Sequence, residues 1–436
     1  GIYFASFKSI KMILGLLLVF FIGYLAITFE GVLKINKSAI ALVTAVLCWI
    51  LIIYDTPEKN IVLEALSHHL SEISEILFFL LGAMTIVELI DAHDGFQNIV
   101  DRIKTTHKGK LIWLIGLITF FLSAVLDNLT TTIVMASILN KLVADKKTKW
   151  RLLGLVVISA NAGGAFSPIG DVTTTMLWIG GQVTALNIIK QSFFASFICM
   201  ALPAIIINYT IKGRIIFKNE AAPSLNFTTN AKERNFIFVA GIVCLLFVPV
   251  FKTITHLPPY MGMLFCLGVM WVITEVIHNK KHESEKGLLS VNHALRKIDT
   301  PSILFFFGIL MSVSSLQYVG VLPKMAQYLN DVMGSINGVA ISIGMLSAVF
   351  DNVPLVAALQ NMYSLQTYPT DHYFWELIAY TAGTGGSILI IGSAAGVAVM
   401  GMEKIDFFWY LKNISWIALI GFLSGAAVFI LQNRFL

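Results

Sequence analysis

Charged residues are scarce in this chain: Asp, Glu, Lys and Arg make up only 13% of its 436 residues, whereas 57% are hydrophobic. An average soluble domain carries about 25% charged residues. This shortage excludes an ordinary soluble domain. The long apolar runs instead indicate an all-α polytopic membrane protein.

Cysteine is also rare. The four cysteines lie in apolar runs without the spacing of metal ligands, so they are expected to be packing residues: Cys48, Cys199, Cys244 and Cys266. The net charge of +5 is spread over loops between apolar segments. That distribution matches membrane-orientation signals rather than a nucleic-acid-binding surface.

The polar, acidic segment 55–75 contains two adjacent histidines, His68 and His69. Neighbouring residues do not share a helix face, so a metal site is not predicted here. We expect a solvated loop or a surface helix, with the next membrane span beginning at residue 74.

The stretch Phe120–Met135 (FFLSAVLDNLTTTIVM) places Asp127, Asn128 and three threonines among apolar residues. Apolar sequence extends for only sixteen residues on either side, at 111–126 and 129–144. A membrane-spanning helix needs about 20. Two short helices that meet at a polar tip are therefore predicted.

We expect these two helices to form a re-entrant hairpin over residues 111–144, which protein or a water-filled cavity must surround. Basic residues flank the hairpin on both sides, so both of its ends are expected on the cytoplasmic face. They are Arg102, Lys104, Lys108 and Lys110 before it, and Lys141, Lys146, Lys147, Lys149 and Arg151 after it. The alternative is one long helix with a solvated polar kink.

A second interruption lies in the apolar segment 150–181, at NAGGAFSPIGD. Gly163, Gly164, Pro168 and Gly170 break helical hydrogen bonding at membrane depth. A discontinuous helix exposes half-helix ends and free carbonyls, which transporters use to coordinate ions. The segment is predicted to be a broken helix.

Both features recur in the second half of the chain. The tip sequence SAVLDN at 123–128 is repeated as SAVFDN at 347–352. The interrupted sequence NAGGAFSPIGD at 161–171 aligns with GTGGSILIIGS at 383–393. The chain is therefore an internal repeat in which the halves differ at matching positions, such as Ser393 opposite Asp171.

The second half is predicted to contain a re-entrant hairpin at 334–362 and a broken helix at 374–401. No Lys or Arg occurs between Lys324 and Lys404, so this hairpin should enter from the outer face. We expect two inverted-topology repeats, each with five transmembrane helices, one of them broken, plus one re-entrant hairpin. The first repeat, a cytoplasmic linker and the second repeat are placed at 1–218, 219–234 and 235–436.

Asp127, Asp171 and Asp351 are the acids placed most securely in membrane segments, and no Lys or Arg lies in the four stretches that form the predicted tips and breaks. Carboxylates without basic partners, among amide, hydroxyl and carbonyl oxygens, suit a hard monovalent cation such as Na⁺. Loss of water also favours the protonated carboxyl when no cation is bound. A site that takes either Na⁺ or H⁺, but not both, is sufficient for exchange. The alternative is that these residues only cap helices, and capping competes most closely at Asp171.

The candidate ion- and proton-binding residues supply oxygens at the predicted tips and breaks. They are Asp127, Asn128, Thr130, Thr131, Asn161, Asp171, Thr173, Thr174, Asp351, Asn352, Thr384, Ser387 and Ser393. The predicted Na⁺ ligands among them are Asp127, Asn128, Asn161, Asp351 and Asn352. Threonine hydroxyls also bond back to helix carbonyls, so one or two ligands are expected in each of the runs 130–132 and 173–175.

The motifs SAVLDNLTTTIVM and NAGGAFSPIGDVTTTMLW, with FDN and GTGGS in the second half, resemble those of NhaD-type Na⁺/H⁺ antiporters of the ion transporter superfamily. The resemblance covers essentially the whole chain. It implies exchange of Na⁺, or of Li⁺, for H⁺ without a cofactor. It also implies a homodimer in the cytoplasmic (inner) membrane, with a scaffold part and a transport part that moves like an elevator.

Two other functions remain open from the sequence. Divalent-anion:sodium symporters share the architecture, which allows a Na⁺-coupled anion or metalloid transporter, but their tips carry Ser-Asn-Thr where this chain has Asp127-Asn128 and Asp351-Asn352. Paired membrane aspartates can also share a proton, as in an intramembrane aspartyl protease. For that function the second acid would be Asp55, which is expected in a polar loop.

Overall fold

The computed structural model describes residues 10–28, 30–97, 105, 107–211, 229–279 and 287–435. These residues form helices and no β-strand. Within those ranges, eight helices are long and apolar enough to cross a membrane. The chain is thus an all-α, multi-pass membrane protein. Two of the basic residues before the first hairpin, Arg102 and Lys104, and linker residues 219–228 lie outside the described residues.

The first half begins with α1 (Ile10–Thr28), the short α2 (Glu30–Leu33), α3 (Lys37–Asp55) and α4 (Lys59–Ala92). It continues with α5 (Lys108–Ser123), α6 (Asn128–Leu142), α7 (Lys146–Ala165), α8 (Val172–Ile179) and α9 (Ala185–Thr210). The segment predicted as a hairpin is the pair α5 and α6, and the segment predicted as a broken helix is the pair α7 and α8.

The second half begins with α10 (Ala231–Thr255), α11 (Pro259–His278), the short α12 (Val291–Lys297) and α13 (Thr300–Val319). It continues with α14 (Val321–Met333), α15 (Ile336–Ser347), α16 (Asn352–Met362), α17 (Tyr373–Gly385) and α18 (Ala394–Glu403). The last span consists of α19 (Phe407–Tyr410), a π-helical turn (Leu411–Ser415) and α20 (Trp416–Phe435). Here α15 and α16 correspond to the second predicted hairpin, and α17 and α18 to the second broken helix.

Helix α4 replaces both the expected loop or surface helix and the separate span that was expected to begin at residue 74. It runs for 34 residues without interruption, beginning at Lys59. Its polar first half carries an apolar stripe, and Val62 and Ile73 from that stripe are buried in the cluster around α1, α3 and α13. His69 is also buried, with its ring 6.1 Å from that of Trp49. The segment is helical because packing on α3 and α13 outweighs its polar composition.

The two halves pack on one another reciprocally. Helix α3 packs on α13 of the other half, and α11, the counterpart of α3, packs on α4, the counterpart of α13. In the same way α6 contacts α18, and α16 contacts α8. Helices α9 and α20, which end the two halves, pack together. Equivalent elements of the two halves therefore take equivalent places in the fold.

Two glycines allow each broken helix to touch its own hairpin through the backbone. A Cβ atom on Gly163 of α7 would meet the carbonyl of Phe120 in α5. A Cβ atom on Gly385 of α17 would meet the carbonyl of Gly344 in α15. Any larger residue would push the two helices apart.

A serine makes the matching bond in each half. Ser123 Oγ, at the end of α5, donates to the Ala160 carbonyl at 2.6 Å. Ser347 Oγ, at the end of α15, donates to the Ala382 carbonyl at 2.8 Å. Both serines are fully buried. These bonds fix the ends of the hairpin helices against the broken helices, where the polar tips begin.

Candidate functional site

Four interruptions of the backbone meet at the centre of the fold. Helices α5, α7, α15 and α17 end there, and α6, α8, α16 and α18 begin there. Helix N-termini carry partial positive charge and C-termini partial negative charge. The N-cap residues of the four helices that begin are Asp127, Asp171, Asp351 and Ser393. Three carboxylates are thus held where helix ends expose unpaired backbone groups.

A cavity of about 60 Å³ lies between these helix ends. Its charged and amide-bearing lining residues are Lys37, Asp127, Asn128, Asp171, Asp351 and Asn352. Apolar residues, including Phe79 and Leu126, complete the wall. The predicted tips and the first break therefore share one cavity.

Asp171 receives a hydrogen bond from each tip. Its Oδ1 accepts from Asn128 Nδ2 at 2.7 Å, and its Oδ2 accepts from Asn352 Nδ2 at 3.4 Å. The Thr173 hydroxyl also donates to Oδ2. Although Asp171 stands at the N-cap position of α8, its side chain makes no capping bond to that helix. The carboxylate, only 2% exposed, is therefore turned into the site.

Asn161 links the first broken helix to the second. Its Oδ1 accepts from Asn128 Nδ2 at 3.1 Å. Its Nδ2 donates to Ser387 Oγ and to Ser393 Oγ, each at 2.9 Å. Asn161 is fully buried. One polar network therefore runs from the first tip through both broken helices.

Asp127 caps α6, and capping is the alternative role that the sequence allowed for this residue. Its Oδ1 accepts from the Thr130 backbone N–H at 2.7 Å, and its Oδ2 accepts from the Thr130 hydroxyl at 2.8 Å. Its backbone has φ 133° and ψ 162°, a region that is occupied almost only by glycine. The fold thus holds a strained aspartate at the tip, at the wall of the cavity.

Asp351 has a basic partner, contrary to the expectation of bare carboxylates. Lys37, the first residue of α3, places its Nζ 3.3 Å from Asp351 Oδ2. The other oxygen of Asp351 caps α16, accepting from the Val353 N–H at 3.2 Å. No pattern in the sequence indicates this pair, because Lys37 resembles an ordinary loop lysine before a span and reaches the site only through packing of α3.

The threonines and serines have unequal roles. Thr173 contacts Asp171, and Thr130 contacts Asp127. Thr174 and Thr384 instead donate to the backbone carbonyls of Ala165 and Tyr380. The Thr131 hydroxyl is buried and, within the described part of the chain, has no hydrogen-bond partner. The structure therefore joins seven of the predicted residues in one hydrogen-bonded network: Asn128, Asn161, Asp171, Thr173, Asn352, Ser387 and Ser393. Asp127, Thr130 and Asp351 line the same cavity outside that network, and Thr131, Thr174 and Thr384 take no part in it.

Two further cavities are lined in part by α4. One, of about 290 Å³, is lined by Glu88, Asp91 and Asp299, and it shares Thr130 and Leu129 with the central cavity. The other, of about 680 Å³, has a separate lining that includes polar residues of α4, α13, α16 and the loop after α8: His69, Glu72, Glu75, Gln317, Gln360 and Gln182. The central cavity thus adjoins the first of these two spaces and is walled off from the second.

The position of Asp55 excludes the aspartyl protease. Asp55 is the last residue of α3, whereas Lys37, at the start of the same helix, lines the central cavity. A helix of 19 residues is about 28 Å long at 1.5 Å per residue. Asp55 therefore cannot pair with an aspartate of the site.

Comparison with known proteins identifies the family to which the chain belongs. The profile of the citrate transporter family (CitMHS) matches residues 24–383. Sodium/proton antiporter 1 of Arabidopsis thaliana is 48% identical over 98% of this chain and 73% of its own length. The Na⁺/H⁺ antiporters NhaD of Alkalimonas amylolytica and Vibrio cholerae are each 30% identical, over 95% and 96% of this chain and 89% and 91% of their own lengths.

Proposed function

The chain belongs to the NhaD-type Na⁺/H⁺ antiporters of the citrate transporter family, and we propose that it exchanges Na⁺ for H⁺ across a membrane. It is a transporter and not an enzyme. The observation that carries the proposal is the Asp171 carboxylate, which accepts one amide from each tip in a cavity that also contains Asp127 and Asp351. Li⁺ is proposed as a second cargo of the same site.

Exchange follows from competition for these carboxylates. In the structure Asn128 and Asn352 donate to Asp171, an arrangement that suits an ionised carboxylate. Rotation of each amide would present its oxygen to Na⁺ instead. Asp127, Asp351 and the Asn161 oxygen complete the proposed set of ligands. A proton bound at Asp171 removes the charge that attracts Na⁺, so the two cargoes exclude each other.

The two flanking cavities support alternating access. Both are lined by α4 on one side and by residues of a hairpin and a broken helix on the other, so they mark the boundary between a proposed scaffold part and a proposed transport part. The central cavity adjoins the space lined by Glu88, Asp91 and Asp299, near the positively charged α12. We assign that space to the cytoplasmic side by the positive-inside rule. An elevator-like displacement would then bring the site to the other cavity.

The remaining features of the proposal follow the internal repeat and the resemblance. We propose that residues 1–218 and 235–436 are inverted repeats, that α5–α6 and α15–α16 are re-entrant hairpins, and that 219–234 is a cytoplasmic linker. The functional unit is proposed to be a homodimer in the cytoplasmic membrane of its cell. The reciprocal packing of the two halves supports the repeat.

Na⁺-coupled anion transport is the second candidate, because the matching family profile is named for citrate and four helix N-termini converge at the site. Three aspartates with a single lysine oppose it, since they leave the lining of the cavity with net negative charge. Uptake of labelled citrate and of arsenite into proteoliposomes, measured beside pH-gradient dissipation by Na⁺, separates the two functions.

The direct test uses Na⁺ titration at several pH values. Purified protein in proteoliposomes should dissipate a preset pH gradient when Na⁺ is added and not when choline is added. At pH values below the pKa of the site, each unit by which the pH falls should raise the apparent Kd for Na⁺ about tenfold if one proton is displaced. An affinity for Na⁺ that does not change between pH 6 and pH 9 would overturn competition at a shared carboxylate.

A further inference from the structure

Lys37 is the single basic side chain among the described residues that line the central cavity. Its ammonium lies 3.3 Å from Asp351 Oδ2 and 4.3 Å from the centre of the Phe305 ring. Lys37 belongs to α3, which packs on α13, whereas Asp351 forms the second tip. The ion pair therefore crosses from the proposed scaffold part to the proposed transport part.

We propose that Lys37 is a tethered competitor of the transported cation: its ammonium neutralises Asp351 until Na⁺ enters the cavity and displaces it. This inference rests on the Na⁺/H⁺ exchange proposed above and names the residue that sets the Na⁺ affinity of that site. It also identifies Asp351 as the carboxylate that a lysine of the protein neutralises before Na⁺ binds.

Electrostatics requires the displacement. Na⁺ bound to Asp351 and an ammonium at its present distance would be two like charges a few ångströms apart, and because both side chains are partly buried, solvent only partly screens their repulsion. The ammonium has a second favourable contact, because it already lies over the face of the fully buried Phe305 ring, which attracts cations. Lys37 can therefore leave Asp351 without losing every stabilising contact.

The same exchange changes how the second tip is held. Phe350, directly before Asp351, packs on Tyr24 of α1 with ring centres 5.1 Å apart. An aromatic contact thus joins the tip to α1, and an ion pair joins it to α3. When Na⁺ replaces Lys37, the ionic contact is lost and the tip can separate from α3, as an elevator-like movement requires.

The two halves differ in this respect. Asp127 receives both of its bonds from Thr130, on its own helix, and in the described residues it makes no ion pair with lysine or arginine. A tethered cation therefore acts on the second tip alone. The first tip is held by a cap that Na⁺ binding can leave intact.

The experiment measures the Na⁺ affinity of full-length protein at a fixed pH of about 8.5 by calorimetric titration, with choline chloride keeping ionic strength constant. Lys37→Met should tighten Na⁺ binding by a factor of about 5 to 150, the range typical of coupled sites. Lys37→Arg, which keeps the charge, should stay within about threefold of the unsubstituted protein by the same reasoning. The same ordering is expected for the half-saturating Na⁺ concentration of exchange in proteoliposomes.

A double-mutant cycle distinguishes competition at Asp351 from a general effect of charge. In an Asp351→Asn background, Lys37→Met should change Na⁺ affinity by no more than about twofold, because Lys37 acts through that carboxylate. A full effect of Lys37→Met in the Asp351→Asn background would overturn the proposal. An unchanged or weaker Na⁺ affinity of the Lys37→Met protein would also overturn it. If the Lys37→Met protein is not monodisperse, Lys37→Gln takes its place in this test.

Lys149→Met is the matched control. Lys149 pairs with Glu403 at 2.6 Å, also between the two halves, but away from the cavity. Its removal should leave Na⁺ affinity unchanged. If the unsubstituted protein fails to move protons in response to Na⁺, the proposed function itself falls. If it exchanges normally and Lys37→Met leaves the affinity unaltered, only the role of Lys37 falls.

Discussion

Asp171 and Ser393 stand at equivalent positions in the two halves with nearly the same backbone geometry, φ −146° and ψ 140° against φ −144° and ψ 154°, yet only Ser393 caps its helix. Ser393 Oγ accepts from the Gly396 N–H at 3.2 Å, whereas the Asp171 carboxylate turns to Asn128 and Asn352. The first half thus contributes charge at this position, and the second half contributes a structural cap.

Asp171→Asn should abolish Na⁺-driven proton movement while the protein remains folded. The amide has similar size but carries no charge for Na⁺ and H⁺ to compete for. It also offers only one acceptor to Asn128 and Asn352, and one unsatisfied buried amide costs about 1–3 kcal/mol. Proteoliposome exchange and the thermal unfolding midpoint measure the two effects. Glu376→Gln, which alters a buried carboxylate bonded to Asn187 outside the site, is the control.

Asp127→Gly should make the protein more stable and less active. Glycine adopts φ 133° freely, and relief of backbone strain of this kind is worth about 1–3 kcal/mol. Glycine as an N-cap loses only a few tenths of a kcal/mol. Asp351→Gly is the comparison, because φ there is −56° and no strain is relieved. A lower unfolding midpoint for Asp127→Gly would show that the backbone at this tip is not strained.

Local composition predicted much of this fold. The apolar runs predicted the spans, Gly163, Gly164, Pro168 and Gly170 predicted the first break, and the repeated tip predicted a second helix pair at α15 and α16. These features depend on residues that are close in the sequence, and their physical causes are helix propensity and loss of backbone hydrogen bonds.

The features that were missed depend on tertiary packing. The early start of α4 at Lys59 follows from burial against other helices, which local polarity does not reveal. From the sequence, capping of a helix was the strongest alternative for Asp171. In the structure Asp127 and Asp351 cap a helix, and Asp171 does not. Side-chain direction and the partnership with Lys37 are set by distant residues.

Gly163→Ala and Gly385→Ala should each destabilise the protein and impair exchange. In both cases the added Cβ meets a backbone carbonyl of the hairpin, which cannot rotate away, and overpacking of this kind costs about 1–3 kcal/mol. Gly401→Ala is the matched control, because nothing lies within 4 Å of its Cβ position in α18. That change should be neutral or stabilising by about 0.5–1 kcal/mol. Equal unfolding midpoints for all three variants would contradict the close contact.

Contacts at the ends of the two broken helices give their relative direction. Lys149 near the start of α7 pairs with Glu403 at the end of α18. At the opposite end, the Thr184 N–H after α8 donates to Asp371 Oδ1, before α17, at 2.6 Å. The first broken helix therefore begins where the second ends, and it ends where the second begins. Two equivalent segments that run in opposite directions are what an inverted repeat requires.

Thiol labelling should place the two hairpin exits on opposite faces of the membrane. Ala144→Cys lies in the exposed loop between α6 and α7, and Gln366→Cys lies in the exposed loop between α16 and α17. A membrane-impermeant maleimide should label residue 366 in right-side-out vesicles and residue 144 in inside-out vesicles, because lysines flank only the first loop. The unsubstituted protein controls for its four native cysteines, which are buried or half-buried. Labelling of both positions from one face would contradict the inverted repeat, whereas labelling from opposite faces in the reverse order would keep the repeat and place the cavity lined by Glu88 and Asp299 on the outside.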